Sequence, residues 1–182
     1  MGTVTVWTKQ HRGMLETLDT LGRYTAKKEI VRRNEESSLT LEAYDWLAAH
    51  LPNQNRPTDA DYPVWLSFSK DAAMLLSPDT VLLELEVEES LITRLNVAKW
   101  GAVLNFSYLP QDDADGRRHR KMLADYGLSD AGICMSRFYP ELRQEIHESW
   151  MRLFDDSVQL GGDHAYGLIW EVKREWIRSV TR

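Results

Sequence analysis

The sequence predicts an α+β protein folded as a single domain over residues 1–182. Three observations lead there. A length of 182 residues fits one ordinary domain with a sizeable core. A composition that is 43% hydrophobic and 27% charged is globular rather than disordered. Segments with strand and helix periods follow one another in no regular order, which favours α+β over a repeating βαβ wind.

The first strand spans Thr3 to Thr8, where Val4, Val6 and Thr8 alternate with Thr3, Thr5 and Trp7. His11 to Leu21 reads as a helix with Met14, Leu15, Leu18 and Leu21 on one face and Gly22 as its stop. The basic stretch Arg23 to Arg33 reads as a loop, either solvated or facing a ligand. Ser38 or Thr40 caps a helix to about Leu51, with Ala43, Tyr44, Leu47 and Leu51 as its apolar face. Pro52 to Asp61 is a loop, and Tyr62 to Phe68 is a strand whose Pro63 implies an edge or a strand start. Ser69 can cap a short helix through Leu76.

Thr80 to Val87 is the clearest strand, with Val81, Leu83, Leu85 and Val87 on one face and Leu82, Glu84 and Glu86 on the other. Trp100 to Leu109 is apolar without a clear period, and Gln111 to Arg118 reads as a polar loop. The basic run Gly116 to Lys121 enters a helix. Pro140 opens the last clear helix, lined by Leu142, Ile146, Trp150 and Leu153. A final strand runs from Ala165 to Val172 and can extend to Val180.

A net charge of -6 asks for no polyanionic partner overall, although local basic patches around Arg32–Arg33 and Arg117–Arg120 could contact phosphates or simply face solvent. Cys134 is the only cysteine, which agrees with a reducing, cytoplasmic location. The N-terminus lacks an apolar signal core, and no apolar run is long enough to span a bilayer.

No recognised catalytic or metal-binding spacing occurs. The five histidines are scattered, and neither H-x-x-x-H, C-x-x-C nor H-E-x-x-H is found, so no metal is expected. Cys134 lies between Ile133 and Met135 and reads as a buried apolar residue. There is no G-x-S-x-G elbow and no phosphate-binding glycine loop. Glu84 and Glu86 are either paired carboxylates or the solvent side of a half-buried strand. The seven tryptophans are either core or a ring-binding pocket.

The segments VWTKQ, AYDWL, YPVWLSF, VLLELEV and AYGLIWEVKRE, in that order from Val4 to about Val180, resemble an uncharacterised bacterial family, domain of unknown function three-eight-four-one. More distantly, the layout resembles ADP-ribosyltransferase folds, with the DarT-like enzymes that modify DNA bases using NAD as the nearest comparison. That likeness implies a split mixed sheet with surrounding helices. It also implies NAD as cofactor and a nucleic acid or protein target. In those enzymes the last strand opens with Gln-Ala-Glu, and its Glu is catalytic. His164, Ala165 and Tyr166 stand there in this chain, so the resemblance puts His164 and Tyr166 at the catalytic positions. A phenol, uncharged near neutral pH, does not supply the charge of a carboxylate.

The resemblance makes Trp7, Thr8 and Gln10 candidates for gripping the nucleotide. Strand alternation adds Trp65 and Ser67 as residues facing its cleft, with Val64, Leu66 and Phe68 facing the core. On this reading the protein is an NAD-binding, ADP-ribosyltransferase-like domain. The other reading is a non-enzymatic interaction or regulatory protein that keeps the transferase fold without its carboxylate.

Overall fold

The computed structural model describes residues 2–34, 38–52, 55–71 and 76–182. It is an α+β structure whose chain gathers into two compact units, one of Met1–Arg94 with Ala165–Arg182 and one of Leu95–His164.

The first unit holds the strands β1 (Thr3–His11), β2 (Arg23–Tyr24), β3 (Val64–Ser67) and β4 (Thr80–Glu88). After the second unit come β6 (Ala165–Ile169), β7 (Val172–Lys173) and β8 (Ile177–Thr181). Strand β5 (Thr93–Asn96) carries the chain out of the first unit into the second. The main sheet has the order β5-β6-β3-β1-β4-β8, and β2 pairs with β7 in a small second sheet. The pairs β1–β3, β1–β4, β3–β6 and β4–β8 are all antiparallel. This corrects the expected mixed sheet. β3 and β4 both run against β1, which lies between them, so their shared direction creates no parallel neighbours.

The described residues of the first unit include the helices α1 (Gly13–Leu21), α2 (Lys28–Asn34) and α3 (Ser38–His50). Helix α1 ends where Gly22 adopts φ 71° and its N–H reaches the Leu18 carbonyl; this left-handed stop suits a residue without a Cβ. Met14 and Leu18 of α1 are buried with Val6 of β1, Val64 and Leu66 of β3, and the Val81, Leu83, Leu85, Val87 row of β4. The alternation read from the sequence therefore faces α1. On the other face, Tyr44 of α3 meets Trp65 of β3 edge-on at 6.1 Å.

Two segments expected as loops are ordered differently. Arg23 to Arg33 forms β2 and α2, because the Asp61 carboxylate accepts from the Lys28 backbone N–H at the start of α2 and Glu29 sits in its first turn. Gln111 to Arg118 is largely helix α5 (Asp113–Tyr126), capped by the Asp112 side chain on the Asp115 N–H. The expected strand from Ala165 onward breaks into β6, β7 and β8 because its partner changes from β3 to β2 and then to β4. The helix expected from Ser69 to Leu76 falls partly on residues 72–75, outside the described residues.

The second unit is helical: α4 (Val97–Leu104), α5, α6 (Asp130–Met135) and α7 (Pro140–Ser149). The Asn96 side chain caps α4, and Pro140 opens α7 as its fixed φ favours. Ile146, Trp150 and Leu153 are buried as the helical period predicts, and the Trp150 indole N–H donates to the Ser107 carbonyl at 2.9 Å. Cys134 is buried at 5% exposure.

Candidate functional site

The register of four antiparallel strands brings a set of polar and aromatic residues into one line. Trp7 of β1 stands opposite Glu84 of β4 on one side and Ser67 of β3 on the other. Ser67 in turn stands opposite Tyr166 of β6. Directly paired residues project to the same face of a sheet. Glu84, Trp7, Ser67 and Tyr166 therefore form a row across the face away from α1. Three interstrand steps make that row about 14 Å long.

Trp65 sits one row along on the same face. Its ring meets Tyr166 at 5.6 Å and 89°, and Tyr44 at 6.1 Å and 82°. Both are edge-on contacts favoured by aromatic quadrupoles. Trp65 is thus part of a packed aromatic cluster with rings on two sides. Tyr44 also meets Tyr62, whose hydroxyl donates to Asp45 at 2.6 Å. Burial pushes the Tyr62 phenol well up, and the hydrogen bond to the Asp45 carboxylate adds to the shift. Burial acts against the Asp45 carboxylate, but hydrogen bonds from Lys28 and Tyr62 outweigh it and hold Asp45 below its usual range.

The Ser67 hydroxyl is committed locally, donating to the Ser69 carbonyl at 2.7 Å and accepting from the Ser69 N–H. Glu84 accepts from the Ser179 hydroxyl at 3.2 Å. The neighbouring Glu86 is engaged by Arg178 at 2.7 Å and by Thr3 at 2.9 Å, and these hydrogen bonds hold its carboxyl below the usual range. The two carboxylates, read from the sequence as either a pair or the solvent side of a strand, thus have separate partners. The indole N–H of Trp7 is buried and, among the described residues, meets no hydrogen-bond acceptor.

Thr8 and Gln10 do not join the row. Alternation along β1 turns them to the α1 side, with Thr8 at 1% exposure. The Thr8 hydroxyl donates to the Trp65 carbonyl at 2.8 Å, and the Gln10 amide donates to the Thr8 oxygen at 2.9 Å. Trp7 and its sequence neighbours could not all line one wall, since successive strand residues face opposite ways. His164 is exposed, lies outside β6 and belongs to the second unit, where its carbonyl accepts from the Val97 N–H at 2.9 Å. Of the residues singled out by sequence, Trp7, Ser67, Trp65 and Tyr166 share a face. Glu84 joins them only through the β1–β4 register, which sequence periodicity does not reveal.

The basic segment is tied down instead of open. Arg23 and Lys27 both reach Asp59, at 3.0 and 3.2 Å, and these hydrogen bonds depress the Asp59 carboxyl to about 2. In the other basic run, Arg118 binds Asp115 at 3.0 Å and Glu145 at 2.7 Å. Among the described residues no group of His, Cys, Asp and Glu could hold a metal ion, and no helix is long and apolar enough to cross a membrane.

These features define an α+β protein with an antiparallel sheet and an aromatic, carboxylate-bearing face. Residues 5–178 match the family model described as Domain of unknown function (DUF3841), and the chain belongs to that family. No curated protein and no solved structure matches it.

Proposed function

We propose that the protein binds NAD, or a nucleotide closely like it, along the row Glu84–Trp7–Ser67–Tyr166, and acts as an ADP-ribosyltransferase on a nucleic acid or protein target. The observation that carries this reading is the register that aligns the four residues on one face. On this reading Trp7 and Tyr166 would stack on a base or nicotinamide, and Glu84 would supply the carboxylate that the Tyr166 position lacks. The length of the row suits an extended dinucleotide better than a single ring.

In such a reaction the bond between ribose C1′ and the nicotinamide nitrogen breaks, and its electron pair leaves with nicotinamide. Positive charge gathers on the ribose. A carboxylate beside it opposes that charge, and a target nucleophile then bonds to C1′ and passes its proton to that carboxylate. Glu84 lies three strands from Tyr166, so the reacting ribose would sit over β1 and β4 instead of over β6.

Calorimetry and thermal shift with NAD test the reading, with nicotinamide release as the readout of chemistry. Wild type should bind NAD, Trp7→Ala should weaken binding, and Glu84→Gln should keep binding while losing nicotinamide release. Neither heat nor a shift in unfolding temperature at about 1 mM NAD would sink it.

A further inference from the structure

The second unit carries a groove of about 460 Å³ that the nucleotide reading does not use. Tyr126, Phe138, Tyr139, Pro140, Glu141 and Leu142 line it. Two of these rings are far more exposed than aromatic side chains ordinarily are, Tyr126 at 72% and Phe138 at 87%. Exposed rings gathered at a groove mark an interaction site more often than a random surface.

The backbone sets where these residues stand. Phe138 lies in the short turn between α6 and α7, and its N–H donates to the Ser136 hydroxyl at 3.0 Å. Tyr139 precedes Pro140, which keeps its backbone out of the helical region, at φ -128° and ψ 59°. Tyr126 ends α5 beside Gly127, whose φ of 65° closes that helix. Tyr126 thus stands at the end of α5, Phe138 in the turn before α7, and Tyr139 at the start of α7.

We infer that this groove docks a proline-rich, extended peptide segment that carries an arginine or lysine. Proline rings in the polyproline II conformation pack on aromatic faces, and their preset backbone loses little entropy on binding. Charge selects the basic residue, because among the described residues Glu141 is the only charged side chain lining the groove. The inference is independent of nucleotide binding by the first unit.

Fluorescence anisotropy with short labelled peptides tests it on the full chain. A proline-rich peptide containing arginine should bind. Replacing its prolines by alanine should abolish binding, and replacing its arginine by glutamate should weaken it. Phe138→Ala should weaken binding about tenfold or more with an unchanged unfolding temperature, since its ring is 87% exposed. Tyr126→Ala, at a second exposed position, should act the same way. Glu141→Gln should remove the preference for arginine over a neutral proline-rich peptide. The inference is overturned if no proline-rich peptide binds by about 1 mM, or if binding survives both ring deletions. It is equally overturned if an amphipathic helical peptide binds better, or if sedimentation shows the groove closed by a second copy of the chain.

Discussion

Replacing Trp65 by alanine separates packing from ligand contact at the aromatic cluster. Truncating a fully buried aromatic costs about 3–5 kcal/mol. Trp65 keeps some exposure, and it makes edge-on contacts with Tyr166 at 5.6 Å and Tyr44 at 6.1 Å. Each such pair adds about 0.5–1.5 kcal/mol beyond area burial. The expected loss for Trp65→Ala is therefore about 2–3 kcal/mol, with an unfolding temperature lower by about 5–10 °C for a chain of this size. The Thr8 hydrogen bond goes to the Trp65 backbone carbonyl and should survive. Urea unfolding provides the measurement, with an unchanged slope confirming that only stability moved. Trp65→Phe should recover about half the loss, because a ring remains between the two tyrosines. A loss below about 1 kcal/mol would refute the packing argument, and weakened NAD binding at that unchanged stability would make Trp65 a ligand contact instead.

Two further outcomes follow from local geometry. Gly167 lies in β6 with its α-carbon facing Leu66, and a Cβ there would come within 2.9 Å of the Ile92 side chain and 3.2 Å of Leu66 and Phe68. Gly167→Ala should cost about 1–3 kcal/mol in chemical unfolding, and wild-type stability would show that the sheet yields freely. Burial acts against the Asp115 carboxylate, but hydrogen bonds from the Gln111 N–H, Tyr108 and Arg118, with the charge of Arg152, outweigh it and lower its pKa. A depressed folded-state pKa stabilises the protein above the ordinary carboxylate pKa of 3.8, and that contribution fades as pH falls below it. Asp115→Asn should thus cost about 2 kcal/mol at pH 7, and the gap from wild type should narrow on acidification toward pH 3; a gap that stays constant with pH would contradict the shift.

Much of the fold was legible in single segments. The alternation of β4, the Gly22 stop of α1 and Pro140 at the start of α7 each follow from local periodicity or backbone chemistry. The misread segments had their signals elsewhere in the chain. Helix α2 is capped by Asp61, distant in sequence, and its basic composition hid it. The strand after Ala165 breaks because successive stretches pair with different strands. The exposed rings of Tyr126 and Phe138 are unreadable in advance, because an aromatic residue carries no sequence mark of being left outside a core.

Sequence by itself determined the α+β class, the apolar face of each major strand, and which residues of β1 and β3 point the same way, because side-chain direction along a strand depends only on odd or even spacing. It could not determine which strands are neighbours. Pairing β1 between β3 and β4 made Trp7 adjacent to both Ser67 and Glu84, residues 60 and 77 positions away by their numbering. That adjacency arises from burying the apolar faces of β1, β3 and β4 together against α1, a free energy shared by the whole sheet and carried by no single segment.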